Sequence, residues 1–176
     1  MKTVKTVKTI LFLSILFLVF SCNKDENTTP EEKTNSFAYK GTTYELGKGY
    51  YKTKPEGNYI LYSIGITSSD VVNSQTGFTG QGELITLDLI SSSNTVLTEG
   101  EYIYELGSET SMYCQLATVS IDYIFGVGGQ QLIVMSGKAN VSKEGDIYEI
   151  TFDFILENDE KVSGYFKGSL TFNENL

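Results

Sequence analysis

Residues 145–172 read GDIYEITFDFILENDEKVSGYFKGSLTF. Tyr148, Ile150, Phe152, Phe154 and Leu156 alternate with Glu149, Thr151 and Asp153. Successive side chains of an extended chain point to opposite faces, so this alternation predicts a strand with one dry face. Gly145-Asp146 before it and Asn158-Asp159-Glu160 after it supply turn chemistry. From Val162 to Phe172 the alternation returns, with Val162, Phe166, Leu170 and Phe172 expected inward and Gly164 and Gly168 on the same face. A glycine on a dry face leaves room for a large neighbour such as Phe152 or Phe154, or marks a bend. Leu132 to Val141 supplies a third strand, and the three make a meander.

The same short-period pattern runs back through the chain. Phe37–Lys40 and Thr42–Leu46 read as a hairpin turning near Gly41. Tyr50–Thr53 is a strand, and Lys54–Asn58 has turn composition. Tyr59–Thr67 (YILYSIGIT) and Glu83–Ile90 (ELITLDLI) are β-rich, with the polar stretch Ser68–Gly82 between them as the longest loop. Glu101–Leu106 is a short strand, and Met112–Phe125 is another, broken at Gly126-Val127-Gly128-Gly129. No stretch beyond residue 35 has helical period. The expected fold is all-β: one antiparallel β-sandwich over residues 36–176, of about 9–10 short strands ending in the meander. A calycin-like β-barrel is the alternative. The sandwich is preferred because a barrel must close and the sequence shows no closure.

Residues 1–35 have a different character. Lys2, Lys5 and Lys8 precede the apolar run Ile10–Phe20, which is the layout of a secretory signal peptide over residues 1–21. The run falls short of the roughly 20 apolar residues that span a bilayer. Residues 22–35 are a polar tether, acidic and free of hydrophobic residues after Cys22, and are expected to be disordered. Its thirteen residues after the Cys reach about 45 Å when extended and roughly 20 Å as a coil.

Val19-Phe20-Ser21-Cys22 resembles the lipobox of bacterial lipoproteins. The resemblance implies cleavage before Cys22 and a covalent diacylglycerol on its thiol, each buried methylene adding ~0.8 kcal/mol of membrane affinity. Lys24-Asp25-Glu26 is similar to the Lys-then-acids signal that sends Bacteroidota lipoproteins to the outer face of the outer membrane. The stretch GKANVSKEGDIYEITFDFILENDEKVSGYFKGSLTF (137–172), with FAYKGTTYEL (37–46) and LTEGEYIYEL (97–106), resembles a broad group of small Bacteroidota lipoproteins. That resemblance covers most of residues 36–172. It implies an all-β lipoprotein domain and transfers no site residue beyond Cys22 and Lys24–Glu26.

Composition removes much chemistry. The chain has 22 acidic residues and 13 lysines, with no His, Arg or Trp. From Pro55 to Gly137 there are nine acids and no lysine. Nucleic acid is excluded as a partner, because its affinity comes from Lys and Arg on phosphates. Triads, Cys-His pairs, His-ligated zinc and guanidinium clamps are all absent. With Cys22 acylated, Cys114 has no thiol partner and reads as a small buried hydrophobe. Two carboxylates alone can hydrolyse a glycoside, but Glu83/Asp88, Glu99/Glu101 and Glu149/Asp153 sit at spacings ordinary for exposed strand faces and loops. Glu157–Glu160 and Lys143–Asp146 are oxygen-rich, yet lack the spaced ligand order of a calcium loop.

Tyrosine is what remains. Eleven of the twelve lie between Tyr39 and Tyr148. Tyr50, Tyr51, Tyr59, Tyr62, Tyr102 and Tyr104 are the candidate binding residues, since a phenol offers an apolar face and a hydroxyl to sugars and proteins. Aromatics are also good strand formers at half-buried positions, which is the plainer account. The expectation is a non-enzymatic, lipid-anchored outer-membrane lipoprotein on the cell surface. It binds a glycan or protein, with no metal and no cofactor apart from the lipid on Cys22. The alternatives are a structural envelope lipoprotein and a carboxylate glycosidase.

Overall fold

The meander stands where the alternation places it. A computed structural model describes residues 33–74, 76–104 and 112–176. Cys22, Lys24, Asp25 and Glu26 lie outside the described residues, as do the signal peptide and most of the tether. The end of the strand expected over Glu101–Leu106 does too.

The strands are β1 (Ser36–Tyr39), β2 (Thr42–Glu45), β3 (Lys48–Glu56), β4 (Tyr59–Thr67), β5 (Val72–Ser74) and β6 (Gly77–Thr79). There follow β7 (Gln81–Ser91), β8 (Gly100–Tyr104), β9 (Tyr113–Ile124) and β10 (Gly128–Glu144). Last come β11 (Ile147–Leu156), β12 (Lys161–Gly168) and β13 (Leu170–Phe172). Among the described residues there is no helix. The count exceeds the expectation because β5, β6 and β13 have three residues each, too few to show alternation.

Eleven strands form one sheet in the order β13-β3-β4-β7-β9-β8-β10-β11-β12-β1-β2, while β5 and β6 pair separately. β9 also pairs with β10 directly. All contacts are antiparallel except β8–β9 and β13–β3. The sheet curls over its core as a half-barrel, tied by the chain itself. β12 lies between β11 and β1, and after Ser169 it continues as β13 along β3, at the far end of the strand order.

Here the expected single strand from Val162 to Phe172 is corrected. Gly168 pairs with Tyr148, almost the first residue of β11, so beyond it β11 offers no further partner. The chain crosses to the free edge of β3. Leu170 packs against the core there, while Phe172, expected inward, is 53% exposed. The turn after β3 is also shorter than its composition suggests. Pro55 stays in the strand opposite Ile60. β13 pairs only as far as Tyr51, so beyond it the edge of β3 that Pro55 occupies carries no ladder for the missing N–H to interrupt.

One core lies inside the curl, built from Phe37, Ile64, Ile85, Leu87, Phe152, Phe154 and Phe166 among others. Gly164 faces Phe152 across the β11–β12 ladder, and a Cβ there would overlap the Phe152 ring. At Gly49 a Cβ would stand 2.5 Å from Leu170 and 2.9 Å from Phe166. On the other face of β3 and β4, Phe78 packs on Tyr50 at 5.4 Å and on Phe125 at 5.7 Å, holding the β5–β6 hairpin to the sheet. The segment Ser92–Glu99 folds over one end of the curl. Ser91 Oγ donates to the Val96 carbonyl at 2.7 Å and accepts from the Thr98 amide at 3.0 Å, seating Leu97 in the core.

Candidate functional site: an aromatic end of the curl

Strand register decides which tyrosines meet. Tyr51 stands opposite Ile64 and Tyr62 opposite Leu89, so both point into the curl. Their rings stack at 6.1 Å and 22°. Phe172 is paired with Tyr51 and lies edge-on to it at 5.5 Å and 72°. Tyr102 is buried beneath, where its hydroxyl donates to the Thr98 carbonyl at 2.6 Å. The Tyr62 hydroxyl donates to the Thr95 carbonyl at 3.4 Å. Both phenols are thereby committed to the segment that closes this end.

The electrostatics agree with that placement. Burial raises the Tyr62 pKa, with the neighbouring Tyr148 and Tyr51 adding to the shift. Burial pushes Tyr102 up to about 12. Tyr148 is half-buried, and the Lys143 ammonium sits 4.7 Å above its ring. A cation over an aromatic face is held by the ring quadrupole.

Of the six candidates, Tyr51, Tyr62 and Tyr102 are brought together. Tyr50 lies on the opposite face with Phe78. Tyr59 starts β4 opposite Glu56. Tyr104 is half-buried and paired with Cys114, whose thiol burial pushes up to about 12. Sequence reasoning missed Tyr148 and Phe172 as members, because both continue an inward-facing alternation and read as core. Their places at strand ends are the signal: an inward residue at the last rung meets solvent on one side.

Below this end the space is filled by Ile64, Leu87, Leu89, Leu97 and Ile150. A ligand would therefore lie across the aromatic rim rather than inside. The rim offers the faces of Tyr51, Tyr148 and Phe172 and the Lys143 charge, which suits a partner with an apolar face and polar edges.

The oxygen-rich turns are engaged elsewhere. Asn158 donates to the Tyr39 hydroxyl at 2.9 Å, Glu157 accepts from the Ile133 amide, and Glu160 lies 3.7 Å from Lys40. Among the described residues no group of three His, Cys, Asp or Glu is placed to hold a metal ion. Three of the six candidate carboxylates are also occupied. Glu101 pairs with Lys138 at 2.7 Å, Glu149 with Lys167 at 3.5 Å, and Glu99 accepts from the Lys143 amide at 3.0 Å.

Comparison with protein-family profiles, with characterised proteins and with solved structures finds no match to this chain.

Proposed function

We propose that this chain is a lipid-anchored lipoprotein of the outer membrane, displayed on the cell surface, whose β-domain acts by binding rather than catalysis. The observation that carries the reading is the run Val19-Phe20-Ser21-Cys22, placed between an eleven-residue apolar stretch and a charged tether. Cys22 receives the lipid, Lys24-Asp25-Glu26 directs the protein outward, and the tether holds the domain off the membrane. The aromatic end with Tyr51, Tyr62, Tyr148 and Phe172 is the surface on which a glycan or protein partner would rest. Absence of His and Arg, and carboxylates already paired to lysines, support a binding role over hydrolysis.

Metabolic labelling with a palmitate analogue tests the anchor. Wild-type protein should take up label and the Cys22→Ala variant should not; label on the variant would end the reading. Protease treatment of intact cells tests the display. The domain should be shaved while a periplasmic marker survives, and protection of the domain would place it on the inner side.

A further inference from the structure

A second site lies at the seam where β12 passes into β13 beside β3. Here Lys48, Tyr50, Ser169 and Thr171 line a cleft of about 330 Å³, with Gly47, Gly49, Gly168 and Phe166 forming the rest. The glycines are accounted for by packing, since Cβ atoms at Gly49 and Gly168 would crowd the Phe166 ring at 2.9 Å. The polar side chains are not. Thr171 is paired with Tyr50, and Leu170 with Gly49, so Ser169 falls beside Lys48 on the same outward face. The hydroxyls of Tyr50, Ser169 and Thr171 make no hydrogen bond among the described residues; Ser169 and Thr171 are exposed, and the Tyr50 hydroxyl also reaches solvent. An ammonium has three donors. Lys48 gives two of them to the carbonyls of Ser69 and Val71, at 2.7 and 3.2 Å. Among the described residues it forms no ion pair, and no acid lines the cleft.

This is a local reversal of charge. Residues 33–176 hold eighteen acids and nine lysines, yet Lys48, Lys52 and Lys54 share one face of β3. Lys54 is paired with Glu56 at 2.6 Å, and Lys52 donates to the Leu176 carbonyl oxygen. Of the three, Lys48 alone lines the cleft, and it has one ammonium donor left after Ser69 and Val71.

We propose that the seam cleft binds a small organic anion, with Lys48 taking its carboxylate or sulfate and Tyr50, Ser169 and Thr171 bonding its other oxygens. The site is separate from the aromatic end and stands whether or not Cys22 carries lipid.

The test titrates full-length protein in detergent micelles with sodium glucuronate, sodium sulfate and, as the neutral counterpart, glucose. Calorimetry and the backbone amide signals of Gly47, Gly49 and Gly168 give the readout. Glucuronate should bind one to one and move those signals, and glucose should not. Sulfate binding as well as glucuronate would assign the affinity to the charged group alone, still at Lys48. Lys48→Met should weaken glucuronate about tenfold, the loss of one charge-assisted hydrogen bond, and Lys161→Met, which lies in neither site, should leave it unchanged. Lys48 also holds the Ser69–Val71 segment, so the double change Ser169→Ala and Thr171→Val, which leaves that segment alone, should weaken binding about threefold. Equal response to glucose, no response to either anion, or full affinity in both cleft variants would overturn the proposal.

Discussion

Gly164 shows how one missing side chain sets a core. The Phe152 ring occupies the space its Cβ would fill. Gly164→Ala should therefore force Phe152 off its position and cost about 1–3 kcal/mol, the usual penalty of overpacking. Chemical denaturation would register this as a lower midpoint at unchanged slope. Phe152→Leu in the same chain should recover part of the loss, and failure to do so would mean that strand pairing, not the ring, needs the glycine. This contact was legible from sequence, because Gly164 falls on the dry face of one strand and Phe152 on that of its neighbour. The meeting of Tyr51, Tyr62 and Tyr148 was not legible. Those three belong to β3, β4 and β11, and only the curl of the sheet brings β11 opposite the other two.

Among the elements, β13 does most with least. Its three residues carry the chain from β12, third from one end of the strand order, to β3 near the other. Leu170 is its hold on the core, seated in the notch of Gly49. Leu170→Ala should cost about 2–4 kcal/mol, and the loss should fall first on the seam. Hydrogen exchange would then quicken in β3 and β13 before it quickens in β7 or β9, where Ile85, Leu87 and Val119 are buried. Uniform quickening would show that the seam and the centre open together. Alternation located β11 and the inner part of β12 because each runs through several periods beside partners on both sides. It missed the crossing at Ser169, where the change of partner leaves no mark on polarity: Leu170 and Phe172 keep the same rhythm as Val162 and Phe166.

At the scale of the whole molecule, buried acids of weak type make the fold sensitive to alkali. Cys114 is raised from 9.0 to about 12 and Tyr102 from 10.0 to about 12, both chiefly by burial. Between those limits the unfolded chain has lost protons that the folded chain keeps, so unfolding stability falls as pH rises. The contribution is complete below pH 9 and gone above about 12, each tenfold difference in proton affinity between the folded and unfolded chain being worth about 1.4 kcal/mol. Denaturation midpoints should thus decline from pH 9 to 12, and Tyr102→Phe should flatten the decline above pH 10. An unchanged slope in that variant would remove Tyr102 from the account. The net charge of −9 at pH 7 grows more negative over the same range, and self-repulsion acts in the same direction.

The link through Ser169 also orders events in time. β1 needs β12 and β3 needs β13, so the two strands that leave a ribosome or a membrane channel among the first wait for partners made more than a hundred residues later. Contacts that distant slow folding, because a long loop must close before they form. Until Leu170 emerges, the chain has no means of sealing itself. For a protein exported as we propose, that delay is useful: the polypeptide stays threadable until β12 and β13 arrive to complete the curl.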